Sequence, residues 1–375
     1  MTVASLASAR PLLRLGGAAP GGLRLPDAAP TPGTMYAPRG VWTDGERLVV
    51  ADTGNHRVLV WHRWPEADGA PADVVVGQPD LLSEGPNVAG TDVVRGLNLP
   101  TGVAVVDGRL VVADAWNHRL LAWDDLPKES FTPPTWVLGQ RGPDEVEANA
   151  GGEPSLSSLY WPFGFGVVAG CFWVADTGNR RVLGWRGPHL PDPGRPADVL
   201  LGQDDPAARE DNRGGAAGGS TFRRPHAVAG DEQTLYVADA GDHRVLGWTP
   251  PPLDGDRPAD LVLGQEDLTL TDEFKNRPQG ARRLRFPYGV VVSGGRLVVA
   301  DTSNNRVLVW RDLPRAGAGV PADDVLAQPD MDANGENRWD AVTDDSLCWP
   351  YGLCATGELL AVADSGNNRA MVWQL

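Results

Sequence analysis

The hydrophobic residues of this chain fall into short runs that return at a constant step. The segment 49–61, "VVADTGNHRVLVW", comes back as "VVADAWNHRLLAW", "WVADTGNRRVLGW", "YVADAGDHRVLGW", "VVADTSNNRVLVW" and "AVADSGNNRAMVW". The aspartates of these six segments stand 62 or 63 residues apart, at Asp52, Asp114, Asp176, Asp239, Asp301 and Asp364. A constant step of this kind is typical of repeat architectures, in which each repeat forms one structural unit.

Each repeat but the last holds four short hydrophobic runs, which in the first copy cover about 40–43, 47–51, 57–61 and 73–77. Runs of this length that are rich in Val and bounded by Gly, Pro, Asn and Asp predict β-strands. The "DTGNH" between the second and third runs predicts a tight hairpin, because Gly and Asn tolerate the backbone angles of such turns. Four antiparallel strands repeated around an axis form the blades of a β-propeller. We therefore predict an all-β, six-bladed β-propeller with four antiparallel strands per blade.

The two ends of the chain predict how the ring closes. The sixth repeat reaches Leu375 without a fourth hydrophobic run, and the segment 11–15, "PLLRL", precedes the first repeat without a partner of its own. We expect 11–15 to complete the last blade, because a gapped ring would expose unpaired strand edges. The prediction is a single domain, 1–375, whose blades cover about 36–80, 98–140, 160–205, 223–267, 285–330 and 348–375.

The repeats also share a proline before the first strand, as in "APRGV" and "FPYGV", and the phrase "VADTGNHRV". In six copies this pattern resembles the NHL repeat, over nearly the whole chain. The resemblance implies a propeller. The long step and the "GQPD"-like outer strand depart from common propeller repeats and suggest a bacterial branch with long inserts. We find no RING finger or coiled coil ahead of the repeats, as in tripartite-motif members, so the resemblance implies no ubiquitin-ligase role.

Composition narrows the class of partner and the compartment. The net charge of −16 argues against nucleic acid and anionic membranes, because the average field repels phosphate. Three cysteines, Cys171, Cys348 and Cys354, are odd in number and lack metal-ligand spacing, which predicts free thiols in a reducing compartment. The first residues lack the order of a secretory signal, and no hydrophobic run reaches membrane-spanning length. We expect a cytoplasmic protein.

The polar residues of the repeated hairpin are predicted to be structural. Each "VAD" carboxylate should pair with the Arg of the "NHR" phrase across the turn. A group present in every blade holds blades together, whereas a catalytic site needs an asymmetric set of groups at one place. His56, His118 and His243 occupy equivalent turns in different blades, too far apart to share one metal ion. We predict no metal and no cofactor.

Function is expected where the repeats differ. The residues that flank the repeated proline should meet at the mouth of the central channel, and several are aromatic. Arg223, Arg224, His226 and Arg285 add a positive cluster on an acidic protein, together with Arg282, Arg283 and Lys275. Such a cluster suits a carboxylate, a phosphate or an acidic partner surface. The predicted binding residues are Arg39, Trp161, Phe163, Arg223, Arg224, His226, Arg285, Phe286, Tyr288, Trp349 and Tyr351. The ring side chains could instead plug the channel by packing, and the arginines could instead form a solvated face that pairs with the neighbouring acidic loops.

Five long inserts, at about 81–98, 141–159, 204–221, 266–285 and 329–348, connect outer to inner strands and should lie on the face that carries this mouth. Two classes of function stay open. The first is a non-enzymatic recognition or scaffold propeller that binds a protein partner or a small anionic or aromatic ligand there. The second is a metal-dependent enzyme resembling propeller lyases or lactonases, and RNA binding is a further alternative. The mouth offers one histidine and no converging carboxylates, so we name no catalytic residue and favour the binder.

Overall fold

The computed structural model describes residues 9–17, 29–187, 189–275 and 277–375. Their strands form six separate sheets arranged around one axis. The first described strand is β1 (Arg10–Gly16). The first blade contains β2 (Gly40–Thr43), β3 (Leu48–Asp52), β4 (Arg57–Trp61) and β5 (Val74–Val76). The second contains β6 (Pro100–Val106), β7 (Arg109–Asp114), β8 (Arg119–Trp123) and β9 (Trp136–Leu138). The third contains β10 (Pro162–Val168), β11 (Cys171–Asp176), β12 (Arg181–Arg186) and β13 (Val199–Leu201).

The remaining three blades follow the same order. The fourth contains β14 (Pro225–Gly230), β15 (Leu235–Asp239), β16 (Arg244–Trp248) and β17 (Leu261–Leu263). The fifth contains β18 (Pro287–Ser293), β19 (Arg296–Asp301), β20 (Arg306–Trp310) and β22 (Asp324–Leu326), and β21 (Gly317–Ala318) pairs in parallel with β17 of the neighbouring blade. The sixth contains β23 (Pro350–Thr356), β24 (Leu359–Asp364) and β25 (Arg369–Gln374). The predicted six-bladed β-propeller is confirmed.

The ring closes through the first strand, as the sequence predicts. Strand β1 pairs antiparallel with β25, and its sheet has the order β1-β25-β24-β23. Leu13 and Leu15 of β1 are buried in the same cluster as Val41 and Val50 of the first blade. The closing strand therefore joins the sixth blade by hydrogen bonds and the first blade by apolar packing.

The core of the protein lies between blades. Val49, Val58 and Val60 of the first blade pack with Leu110 and Val112 of the second, and equivalent clusters fill the other interfaces. Burial of apolar surface stabilises such contacts by about 25 cal/mol per Å². Because each sheet depends on its neighbours for this burial, the blades stabilise one another around the ring.

A glycine near the start of five inner strands lets adjacent blades approach closely at the axis. A Cβ atom on Gly40 would lie 1.9 Å from the Thr101 carbonyl oxygen, and one on Gly164 would lie 2.5 Å from that of His226. The fourth blade carries Ala227 at this position.

Each repeat contains a fully buried Asp–Arg pair that also anchors the inserts. In the first blade Arg57 donates from Nε to Asp52 Oδ2 at 2.7 Å. The same guanidinium donates to the carbonyl oxygens of Thr31 at 3.1 Å and Leu81 at 2.6 Å, in the segments before and after the blade. The pairs therefore have the predicted structural role. The single Arg57 guanidinium holds the hairpin and also the chain segments before and after the blade.

Short helical turns complete the fold. Six lie in the hairpins: Thr53–Asn55, Ala115–Asn117, Thr177–Asn179, Ala240–Asp242, Thr302–Asn304 and Ser365–Asn367. Four lie in inserts: Asn87–Gly90, Ala148–Gly151, Asp211–Gly214 and Glu336–Trp339. Across the described ranges no helix has the length and hydrophobicity to cross a membrane.

Candidate functional site

One face of the disc collects the features that differ between repeats. The inner strand of each blade begins beside the end of the second strand, as the pairing of Pro100 with Asp114 shows. The hairpin turns, the ends of the long inserts and the beginnings of the inner strands consequently share one face, here called the insert face. The short turns between first and second strands lie on the opposite face.

Five of the six pairs of adjacent blades are joined on the insert face by a side-chain acceptor from the hairpin. In the first such contact the backbone N–H of Leu99 donates to His56 Nδ1 at 3.1 Å. The equivalent bonds run from Trp161 to His118, from Phe286 to His243, from Trp349 to Asn305 and from Ala37 to Asn368. All five donor residues have positive φ, between 46° and 53°. The histidines of the "NHR" phrase are therefore interblade acceptors, a role that the sequence analysis did not identify.

These histidines must be neutral to accept a hydrogen bond, and their environment keeps them so. Burial lowers the pKa of His118 and of His243 to about 4, and it also lowers the pKa of His56. Within the described residues no group of three His, Cys, Asp or Glu side chains is placed to hold a metal ion.

The junction between the third and fourth blades is built differently. Arg180 occupies the acceptor position and, having no acceptor atom, it pairs with Asp211 at 2.7 Å. The backbone N–H of Arg224 donates instead to Asp239 Oδ1 at 2.9 Å. Arg224 lacks the positive φ of its five counterparts. The inner strand of the fourth blade therefore begins with a different backbone conformation at the channel mouth.

Four ring side chains meet across the axis and close the channel. The His226 and Tyr288 rings lie 4.3 Å apart, Phe163 and His226 4.4 Å, and Tyr288 and Tyr351 4.5 Å between centroids. The Arg39 guanidinium lies over the Tyr351 ring, 5.0 Å from its centroid. We call Phe163, His226, Tyr288 and Tyr351 the aromatic plug. The structure supports the packing alternative for these four predicted residues.

The plug is electrically neutral and is flanked by positive charge. Burial lowers the pKa of His226 to about 3, and His226 Nδ1–H donates to the Arg224 carbonyl oxygen at 2.8 Å. Burial raises the pKa of Tyr288 to about 12. Arg39 lies over Tyr351, and the Arg224 backbone is hydrogen-bonded to His226, so two cationic residues adjoin the plug. Their charges add to the lowering of the His226 pKa.

Two polar atoms near the plug are buried without a partner. Arg39 Nε and Trp161 Nε1 form no hydrogen bond with any residue that the structure describes. Buried donors in folded proteins are nearly always paired, so these two donors beside the channel are available to an acceptor that the described chain does not supply.

Exposed aromatic side chains lie on the insert face. The four exposed aromatic residues of the described chain are Tyr36 (48% exposed), Trp116 (51%), Trp339 (78%) and Trp349 (50%). The ring centroids of Trp116 and Trp161 lie 6.3 Å apart, and those of Trp161 and His226 lie 6.1 Å apart. A row of aromatic rings therefore leads from the rim to the plug. We call Tyr36, Trp116, Trp339 and Trp349 the outer aromatics.

The predicted positive cluster is largely neutralised or dispersed. Arg285 and Lys275 both pair with Glu273, at 2.6 and 2.8 Å, and Arg223 lies 3.4 Å from Asp211. Arg282 and Arg283 donate to the carbonyl oxygens of Gly319 and Pro278, away from the channel. Of the predicted cluster, Arg224 is the cation that joins Arg39 beside the plug. Phe286 packs against His243 with ring centroids 4.2 Å apart, so it belongs to the blade junction.

Sequence reasoning missed three of the outer aromatics. Trp116 stands in the hairpin where the other repeats carry Gly54, Gly178, Gly241, Ser303 and Gly366. This departure from the repeat was a usable signal, because a large side chain in a turn of small residues has no role in the shared fold. Tyr36 and Trp339 lie outside the repeated phrases and had no such signal.

The family comparison agrees with this architecture. The NHL repeat model matches residues 97–123 and 284–310, which cover the three inner strands of the second and fifth blades. The chain therefore contains NHL repeats within its six-bladed β-propeller. It is 28% identical over 392 residues to NHL repeat-containing protein 2 of Bos taurus and 29% over 390 residues to that of Gallus gallus. In both cases the match covers 94% of this chain and 48% of the relative, so the chain spans about half the length of these curated relatives.

These relatives come from animals, so the bacterial branch suggested by the long NHL repeats stays a prediction. Among solved structures, a gluconolactonase from Xanthomonas campestris matches with a TM-score of 0.51 and 16% identity, over 98% of each chain. At this identity the likeness concerns the fold alone.

Proposed function

We propose that this NHL propeller is a recognition module that binds a protein partner on its insert face. The observation that supports the proposal most directly is the position of the outer aromatics, all four of which lie on that face. Exposed apolar surface of this kind marks interaction sites, and Trp and Tyr are the residues that most often carry binding energy.

The rim around these side chains is held in place by buried hydrogen bonds, which favours binding. Each buried Arg holds the segment before its blade, as Arg119 does through the Val93 carbonyl oxygen at 2.8 Å. Amide pairs add a second anchor, since Asn117 donates to Asn87 at 2.7 Å and Asn179 donates to Asn149 at 2.8 Å. A surface already held in its bound conformation loses little entropy on association.

Charge defines the chemistry of the partner. The inserts are mostly acidic, as in "GPDEVEANAGGEP", whereas Arg39 and Arg224 place positive charge at their centre. A partner segment that places an apolar side chain against Trp116 or Trp349 and a carboxylate beside Arg224 matches both features.

A random peptide library displayed on phage tests this function. We expect wild-type protein to enrich a set of related peptides with a hydrophobic residue and an acidic residue. Trp349→Ala and Arg224→Glu should each weaken binding of the selected peptides about tenfold or more, as expected for residues at the centre of an interface.

Matched controls come from the opposite face. Arg63→Glu makes the same change of charge there, and Val167→Ala truncates an exposed side chain at the far end of β10. Peptides that bind all four variants equally, or that are lost only in Arg63→Glu or Val167→Ala, would refute the assignment of the insert face.

A further inference from the structure

A cavity of about 200 Å³ lies inside the channel, along the inner strands of all six blades. Three members of the aromatic plug, Phe163, His226 and Tyr288, line it. The other inner-strand residues of the lining are small or aliphatic except for Trp42 and Phe165. Wall residues such as Ala104 and Val291 are half-buried, so the part of the channel beyond the aromatic plug is accessible to small molecules.

Arg39 is the single charged residue that lines this cavity, all of whose lining residues lie in the described part of the chain. Its Nε is buried and makes no hydrogen bond to a described residue, and its guanidinium is held over Tyr351. The cavity therefore combines an apolar body with one fixed cation that offers an unused donor. His226, which also lines it, is occupied at Nδ1 by the Arg224 carbonyl oxygen.

We propose that this cavity binds a small monocarboxylic acid, with its carboxylate on Arg39 and its apolar tail along the inner strands. A carboxylate matches the planar guanidinium and presents one negative charge to one positive charge. A phosphate dianion would need further donors, and the other lining residues supply no second cation. Pockets with apolar walls and few polar groups are the usual form of small-molecule sites.

The size of the cavity sets the size of the tail. An apolar protein cavity of about 150 Å³ holds benzene, so at the same packing this cavity holds about eight carbon atoms. A thiol on the wall, Cys354, makes hydrogen bonds with the backbone of Thr43, and burial raises its pKa to about 11. The Cys354 thiol is therefore a neutral group in the cavity wall, and the proposed role of the site is to bind a ligand.

This inference does not rest on the proposed protein-binding function. The outer aromatics Trp116 and Trp349 lie outside the cavity lining, so variants at these positions test the protein partner alone. Arg39 and Ala104 line the cavity, and variants there test the small-molecule site.

Isothermal titration calorimetry with octanoate tests the proposal, and octanamide serves as a neutral probe of the same length. We expect saturable binding of octanoate to the wild-type protein, and weaker binding of octanamide. Arg39→Gln should reduce the affinity for octanoate about tenfold or more while changing that for octanamide less than about twofold, because the lost contact is specific to the charged head.

Two further variants keep the result interpretable. Ala104→Phe fills the channel, and Ala104 belongs to none of the interblade clusters, so we expect it to fold and to abolish binding of both probes. Arg224→Gln removes the neighbouring charge without changing the lining and should leave octanoate binding within about threefold of wild type, since weak through-space attraction is all that is lost. No saturable octanoate binding to wild type, or binding unchanged by both Arg39→Gln and Ala104→Phe, would overturn the proposal.

Discussion

Five junctions between blades share one construction, and the junction between the third and fourth blades departs from it. In the five, a His or Asn accepts the backbone N–H of the residue before the next proline. At the junction between the third and fourth blades, Arg180 stands in place of the acceptor. Arg224 has a different backbone conformation there, and its N–H donates to Asp239. The fourth blade also carries Ala227 and Asp242 where other repeats have Gly and Asn. Departures from the repeat thus accumulate where the candidate site gains Arg224.

The largest expected effect comes from the buried pairs. Asp114→Ala leaves the Arg119 charge buried without a carboxylate and should lower the free energy of unfolding by about 3–5 kcal/mol. Asp239→Ala in the fourth blade should cost less, because Asp242 lies 3.5 Å from Arg244 and remains as a counter-charge. Urea unfolding of both variants measures the difference. Equal losses in the two blades would show that Asp242 does not compensate.

The interblade acceptors should have the next largest effect. His118→Leu leaves the Trp161 N–H without its acceptor and should destabilise the protein by about 1–3 kcal/mol. Arg180→Leu at the equivalent position removes a partly exposed ion pair and should cost no more than about 1 kcal/mol. Thermal unfolding followed by circular dichroism compares the two, and a larger loss for Arg180→Leu would contradict the proposed difference between junctions.

Acid should weaken the histidine junctions selectively. The pKa of His118 and of His243 is lowered from an ordinary 6.5 to about 4, so the native state binds fewer protons than the unfolded chain in this interval. Their contribution is complete above pH 6.5 and is lost as the pH falls towards 4, by about 1–2 kcal/mol per His at pH 5.

Asn305 and Asn368 accept the equivalent interblade hydrogen bond in other blades. An asparagine side chain accepts this bond without changing its protonation state. The double variant His118→Asn/His243→Asn should therefore lose less stability than wild type between pH 7 and pH 5. Melting temperatures measured across this range test the effect, and parallel curves for the two proteins would exclude it.

The smallest expected effect concerns Asp242. Burial raises the pKa of Asp239 to about 6, and repulsion from Asp242 contributes. Asp242→Asn should stabilise the protein by about 1 kcal/mol above pH 6, and this gain should shrink as Asp239 takes up a proton towards pH 4. The reverse change in the second blade, Asn117→Asp, should destabilise at neutral pH. A stability unchanged by Asp242→Asn at pH 8 would contradict the electrostatic argument.

The sequence predicts the fold well because the same pattern of strands and turns occurs six times along the chain. The sixth repeat lacks a fourth hydrophobic run, and this absence alone predicts that the strand at 11–15 pairs with the last blade. The convergence of Phe163, His226, Tyr288 and Tyr351 also follows from their equivalent positions. Pairing of the arginines with acidic inserts could be predicted as an alternative, but the partners could not, because Glu273 and Asp211 lie in inserts without periodicity. The histidine acceptors bond to a residue 43 positions later, in the next blade, which the pattern within one repeat does not reveal.

The central claim is that residues shared by the repeats maintain the fold, while residues that depart from them on the insert face bind the partner. Trp116→Gly tests it most directly, because it restores the residue found at the same turn in four other repeats. We predict an unchanged melting temperature and at least a tenfold weaker affinity for the peptides selected by the wild-type protein. An unchanged affinity, or a variant that loses stability and binding together, would contradict the account.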